Sequence, residues 1–248
     1  MTGHLNLKLA SFLFKHAYPV YKPLYFSYKN KKDKNYVDLI RTYVKPGWNI
    51  LDIGSNIGFY SSFFSEVAGN GHVYCFEPDR INFRHLRETL EGKSNVTLVQ
   101  KAVAEKSGRM KLYTSSLLNV DHRTYASENS NGSYEVEKIS IDDYVSGKFK
   151  VDFIKMDIQG YETEALKGMD KTLSENHDII VFMEFWPYGL QRSGSSAAQL
   201  YDLLAGKGFH IYRINEKEMV PFTREDATTM KAEYYADCNL ILKRKDNS

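Results

Sequence analysis

At 248 residues, 42% hydrophobic and 26% charged, the chain has the composition of a globular protein and the length of one large α/β domain. A net charge of +2 argues against a general polyanion binder, and two cysteines exclude a disulfide scaffold or a cysteine-rich metal site. No stretch approaches the roughly 20 apolar residues of a membrane-spanning helix.

The charge is unevenly spread. Residues 1–45 carry nine Lys and Arg against Asp33 and Asp38, a surplus of +7 that leaves the remainder at −5. Lys8 and Lys15 interrupt the apolar start before the core of a secretion signal can form, so a cytoplasmic protein is expected. Residues 5–16 place Leu5, Leu9, Phe12, Leu13 and His16 on one helical face, and Pro19 and Pro23 are expected to end that helix. An aromatic stretch, YKPLYFSY, and a basic run, KNKKDK, follow. Residues 1–35 therefore read as a basic, aromatic helical arm. It is either a helix docked on the domain with a solvated loop after it, or an arm that covers substrate or touches a membrane surface.

From residue 36 the pattern alternates. A helix at YVDLIRTYV precedes strand 49–53, helix 59–68, strand 72–78, helix 81–92 and strand 95–103. Residues 104–148 break the rhythm with two short strand-like runs around a polar loop, a hairpin-like insertion. Alternation resumes with strand 151–157, helix 161–173, strand 178–185, helix 196–208, strand 209–214, a polar segment and a final strand at 238–244. Strands alternating with helices predict βαβ units and a parallel sheet. Cys75 and Cys238 fall inside predicted strands and read as buried free thiols.

The most informative turn is LDIGSNIGFYS, 51–61. A buried strand ends at Asp52, Gly54 and Gly58 bracket a tight loop, and a helix begins at once. Glycine lets backbone approach a ligand, and the helix start offers free N–H groups. Glu77 ends the next strand, where an acid can accept both hydroxyls of a ribose; a solvated acid or helix cap is the plainer reading. A dinucleotide fold wants G-x-G-x-x-G. Here the pattern is Asp52-x-Gly54-x-x-x-Gly58, which is similar to the loop of S-adenosylmethionine (SAM) methyltransferases, whose ligand has no pyrophosphate.

The segments LDIGSNIGFYS, FEPDRINFRHL, VDFIKMDIQGYETEALKGM and VFMEFWP resemble the FkbM family of SAM-dependent methyltransferases. The resemblance is strong over residues 36–185 and weak in the final strands, and it does not reach the arm. It implies a Rossmann-like class I methyltransferase domain over 36–248, with a seven-stranded, mostly parallel sheet, an antiparallel last strand and helices on both faces. It also implies O-methylation of a sugar, glycolipid or natural product. The cofactor-binding set becomes Asp52, Gly54, Ser55, Asn56, Gly58, Phe59, Glu77, Pro78, Ala102 and Asp157. One departure is Gln159, where the family often has Glu.

In an open parallel sheet, ligands sit beyond the strand carboxyl ends where strand order reverses. That places Asp157, in FIKMDIQGYE, beside the transferring methyl; capping the next helix is its alternative role. Asp157, Glu184 and His122 are the catalytic candidates. A carboxylate within hydrogen-bond reach can take an acceptor's proton. Asp157, Glu184 and Asn239 could also hold a divalent metal, although no metal ligand set is expected. Glu162 reads as a helix-dipole charge, and Trp186 and Tyr188 as a rim that stacks on acceptor or closes the core. The expected partner is a small-molecule or glycan hydroxyl and not nucleic acid, with peripheral membrane contact through the arm. The rival functions are an NAD-dependent oxidoreductase or epimerase, and a methyltransferase-like module without catalysis.

Overall fold

The computed structural model describes residues 2–115 and 130–244, with side chains over 9–114 and 132–244. Three helices come first: α1 (Thr2–His16), α2 (Tyr18–Lys32) and α3 (Lys34–Tyr43). Then follow β1 (Asn49–Ile53), α4 (Phe59–Ala68), β2 (His72–Phe76), α5 (Arg80–Thr89), β3 (Val96–Val99) and β4 (Ala102–Val103). The insertion contains β5 (Gly108–Ser115) and β6 (Ser130–Ile139) and leads to α6 (Ile141–Val145). Next are β7 (Phe153–Met156), α7 (Glu162–Lys167), α8 (Asp170–Glu175), β8 (Ile180–Phe185), α9 (Pro187–Arg192) and α10 (Ala197–Gly206). The chain finishes with β9 (His210–Asn215), β10 (Glu218–Pro221), α11 (Arg224–Thr229) and β11 (Cys238–Lys243).

The main sheet runs β10-β9-β11-β8-β7-β1-β2-β3. β1, β2, β3, β7 and β8 pair in parallel, and β11 inserts antiparallel between β8 and β9. The antiparallel final strand matches the sequence expectation, but there are eight strands rather than seven. The extra strand is β10, which folds back on β9 around Glu216, a residue in the left-handed region at φ 53°. Its residues, EMVP, are largely exposed and so carry no buried alternation that would mark a strand. The predicted strand 95–103 is also divided. Its first half joins the main sheet, whereas β4 joins β6 and β5 in a separate three-stranded sheet.

Period-two alternation sorts the sheet residues between two cores. Ile50, Val73, Phe153, Phe182 and Ile241 meet Ile40, Phe63, Phe64 and Leu86 of α3, α4 and α5. Leu51, Ile154, Val181, Met183 and Leu240 face the other way, onto Ala165, Leu166, Leu200 and Leu204. The predicted helix 161–173 splits at Gly168, where a Cβ would lie 2.2 Å from the Ala104 carbonyl oxygen. Asp142 then caps the second piece, accepting from the Lys171 and Thr172 N–H groups at 3.0 and 2.7 Å.

The prolines do not end the N-terminal helix where expected. The break comes at Ala17, and α2 starts with Pro19 in its first turn, where a missing N–H costs little. Pro23 removes one internal hydrogen bond, yet the helix continues because its aromatic side chains are packed. Phe26 meets Phe59 edge-on at 5.4 Å, and Tyr18 and Tyr21 flank the buried Phe14 of α1. The basic run therefore ends a helix instead of forming a loop.

One polar pair is enclosed in the sheet. Asp52 of β1 and Lys155 of β7 are register partners, 0% and 4% exposed at their side chains, with Lys155 Nζ 3.4 Å from Asp52 Oδ1. Removing one member of a buried pair strands the other charge and costs about 3–5 kcal/mol. Lys155→Met is expected to lower unfolding stability by about 3 kcal/mol in urea titrations, and Asp52→Asn added to it to restore part of the loss.

Candidate active site

The strand ends of β1, β2, β7 and β8 form the floor of a cavity of about 800 Å³, which α1 and α2 roof. Its size lies in the upper part of the usual range for small-ligand sites. The enclosed pair described above joins β1 and β7 to the glycine loop and α4. Lys155 Nζ donates to the Gly54 carbonyl at 2.8 Å, and Ser61 Oγ, from the first turn of α4, donates to Asp52 Oδ2 at 2.5 Å. The N–H groups of Gly54 and Ser55 donate to the Phe76 carbonyl, each at 3.0 Å, so the loop after β1 is tied to the end of β2.

Gly54 adopts φ 80°, and a Cβ there would lie 2.0 Å from the Asp157 carbonyl oxygen. Glycine is thus required so that the β1 and β7 loops can touch. Gly58, at φ 90°, begins α4, and its added Cβ would meet Leu86 Cδ1 at 2.9 Å. Its glycine therefore serves helix packing. Asp52 likewise lies beneath the loop and does not line the cavity, whereas Gly54, Ser55, Asn56, Phe59, Glu77, Pro78, Ala102 and Asp157 do.

Glu77 is buried, with Oε2 accepting from the Asn56 N–H at 2.8 Å and Oε1 from the Asp79 N–H at 2.9 Å. Burial pushes its carboxyl up to about 8, against the pull of those two N–H groups, and the neighbouring Asp79 adds to the rise. Asn56, at φ 51°, leaves its buried Oδ1 without a hydrogen-bond partner. A ligand bearing hydroxyl or amino donors satisfies that orphaned acceptor and the spare lone pairs of Glu77. The two acceptors at this end, Glu77 and Asn56 Oδ1, fit the hydroxyl donors of a ribose diol.

At the other end, Gln159 bridges two acids. Its Nε2 donates to Asp157 Oδ1 at 2.9 Å and to Glu184 Oε2 at 3.2 Å. Both amide hydrogens are used, and the backbone of Gln159 is left-handed at φ 57° to aim them. Burial holds the Glu184 carboxyl well above the usual range, and the charges of Asp157, Glu162 and Asp237 add to it. Glu162 is not a solvated helix-dipole charge but is 1% exposed. Its Oε1 accepts from the Ile158 and Gly160 N–H groups, both at 3.2 Å, bracing the turn that carries Asp157. Burial lifts this carboxyl to about 7.

Trp186 closes the core: it is 5% exposed, and its Nε1 donates to the Tyr234 carbonyl at 3.0 Å. Tyr234, not Trp186 or Tyr188, lines the cavity. Asn239 pairs with Glu184 in the sheet but does not reach the cavity, and His122 lies outside the described residues. Among the described residues, no three His, Cys, Asp or Glu side chains gather as metal ligands.

Sequence reasoning missed Lys155, and it left the arm open between a helix docked on the domain and a cover over substrate. A lysine in the middle of the buried run FIKM, on the same face as Phe153, was the available signal for the first. The arm contributes Leu9, Leu13, Tyr21, Leu24, Tyr25 and Tyr28 to the roof. Asp33 anchors it: Tyr60 Oη donates to Asp33 Oδ2 at 2.9 Å, and Lys29 pairs with the same oxygen.

A cofactor cleft of this kind, at the point where a Rossmann-like sheet reverses strand order, defines a class I SAM-dependent methyltransferase. The sequence profile described as the methyltransferase FkbM domain matches residues 52–211, and the chain belongs to that family. It is 27% identical to the 2-O-methyltransferase NoeI of Sinorhizobium fredii, over 64% of this chain and 72% of that protein. It is 31% identical to the hexuronic acid methyltransferase AglP of Haloferax volcanii over 53% of this chain, spanning about half (54%) of that relative's length. Among solved structures, an rRNA methylase from Streptococcus thermophilus superposes with a TM-score of 0.50 at 11% identity, covering 84% of this chain and 93% of that one. A Streptococcus mutans protein provisionally assigned as a methyltransferase, solved with S-adenosylhomocysteine (SAH), gives 0.51 at 12% identity, covering 86% and 97%. At such identities the likeness concerns the fold.

Gly54→Ala is expected to push the β1 and β7 loops apart. Calorimetry with SAH should show affinity reduced at least about tenfold while far-ultraviolet circular dichroism stays unchanged.

Proposed function

We propose that the chain transfers the methyl group of SAM to a hydroxyl on a sugar, glycolipid or natural-product acceptor. The observation that carries this reading is the pairing, in one cavity, of a buried strand-end acid, Glu77, with an Asp157–Gln159–Glu184 cluster at the strand-order reversal. The names of NoeI and AglP, a 2-O-methyltransferase and a hexuronic acid methyltransferase, support a sugar hydroxyl.

In this reading Glu77 accepts from the ribose hydroxyls, while Asn56 Oδ1 takes a further donor. Gly54 and Ser55 form the backbone cradle, and Pro78 and Ala102 flank the adenine. SAM, when bound, supplies an electrophilic methyl group at the Asp157 end. Methyl transfer is an in-line displacement, so the protein chiefly aligns the acceptor oxygen and excludes water. Asp157 takes the proton from the acceptor hydroxyl. Gln159 holds Asp157 and Glu184 side by side without a cation, and burial raises the Glu184 carboxyl and so favours its protonated form. The aromatic roof of Tyr21, Tyr25 and Tyr28 covers the acceptor.

Asp157→Ala is expected to lower radiolabel transfer from SAM to an acceptor-containing cell extract by about 10²–10⁴-fold with the fold intact. Survival of both transfer and SAH affinity in that variant would remove Asp157 from the site. Titrating the wild-type protein with SAH and with NAD decides between the two cofactor classes, and SAH binding without transfer would leave a binding module.

The pH dependence follows from Glu77. Its carboxyl is raised to about 8 in the free protein, and the ionised form accepts both ribose hydroxyls. The bound state therefore favours loss of the proton. SAH affinity should weaken as pH falls below about 8, by up to tenfold per unit, and level off above it. Calorimetry from acid to alkaline pH measures the slope, which Glu77→Gln should abolish together with most of the affinity.

A further inference from the structure

The N-terminal arm leaves a set of large apolar side chains exposed. Among the described residues, nine large hydrophobic side chains are notably exposed, and five of them lie in this one stretch. Leu9, Phe12, Val20, Leu24 and Tyr28 are each 53–58% exposed. Leu9 and Phe12 are three apart on α1; Val20, Leu24 and Tyr28 follow at intervals of four along α2. Each set therefore forms a stripe on its helix. A concentration of this kind marks an interaction surface, whereas single exposed apolar residues do not.

Charge identifies the occupant. Between residues 9 and 32 there are five lysines, Lys15, Lys22, Lys29, Lys31 and Lys32, and no Asp or Glu. Lys29 is committed to Asp33, and Lys32 is close enough to Asp237 to affect it. Lys15, Lys22 and Lys31 make no ion pair with a carboxylate among the described residues. Apolar stripes beside unneutralised lysines, on helices lying flat across a domain, match the interfacial zone of an anionic bilayer. A protein partner with a single complementary patch would not need charge of one sign along the whole stretch.

The same stretch borders the cavity. Leu9, Leu24 and Tyr28 are more than half exposed and also line it, as does Lys32. Exposed apolar side chains of the arm thus belong to the lining of the cavity that also holds Asp157 and Glu184. We propose that α1 and α2 seat on an anionic lipid surface, so that the cavity mouth opens onto the bilayer and admits an acceptor hydroxyl carried on a lipid. This rests on the methyltransferase reading for the chemistry, but not for the docking.

The test uses the full chain and vesicles of phosphatidylcholine, with and without phosphatidylglycerol. Co-sedimentation is expected with the anionic vesicles alone and should weaken as salt rises. Phe12→Ser with Val20→Ser, residues outside the cavity lining, should abolish it. Each of Lys15→Ala, Lys22→Ala and Lys31→Ala should weaken it about fivefold. SAH affinity, measured in the same variants, should be unchanged, which separates a docking failure from a failed cofactor assignment. Radiolabel from SAM should partition into the organic-extractable fraction of a membrane-containing extract. The proposal is overturned by equal binding to neutral and anionic vesicles, by no binding, or by light scattering that shows a dimer dissociated by the Phe12 and Val20 substitutions. Label confined to water-soluble product overturns the lipid-borne acceptor.

Discussion

The structure depends on one enclosed contact, the ion pair between Asp52 and Lys155 on adjacent central strands. Two charges buried in a sheet are unfavourable unless their remaining hydrogen-bonding capacity is used. Here Lys155 continues to the Gly54 carbonyl, and Asp52 receives Ser61 from the next helix. The pair thereby joins β1, β7, the glycine loop and α4 into one rigid corner. The cavity floor is the upper surface of that corner, so the glycine loop has its shape before any ligand arrives. Preorganisation of this kind lowers the ordering cost of binding.

Above the corner, the balance of charge changes. Asp157, Glu162, Glu184 and Glu77 all sit at the sheet edge, and burial raises the carboxyls of Glu77, Glu162 and Glu184. The edge meets this cost with backbone N–H groups for Glu77 and Glu162 and with the Gln159 amide for Asp157 and Glu184. An amide carries no charge, so the cluster keeps its negative character toward the cavity. SAM is itself cationic at its sulfonium and amino groups, and in the proposed function the acids complement it.

The arm is part of the site because of its anchoring. Asp33 ends α2, starts α3, holds Lys29 and accepts from Tyr60, which itself lines the cavity. Phe14 is buried among Tyr18, Tyr21 and His85, which fixes α1 against α5. The helices that roof the cavity are therefore attached to the domain at Phe14 and at Asp33, while Phe12 and Val20 remain exposed.

The local patterns of the chain determined much of this. Alternating apolar periods specified a parallel sheet with flanking helices, and the Asp52-to-Gly58 loop with Glu77 marked the end of the sheet where the cavity lies, because tight turns and strand-end acids leave short-range signatures. Asp157 and Glu184 were legible as strand-end acids for the same reason. Tertiary structure alone decided what depends on distant neighbours. It placed Asp52 and Gly58 beneath the loop rather than on the cavity wall, turned Glu162 inward, paired Lys155 across strands, and continued α2 through Pro23 on aromatic packing. Burial and side-chain pairing are properties of residues about a hundred positions apart, as Lys155 and Gly54 are, and no local period encodes them.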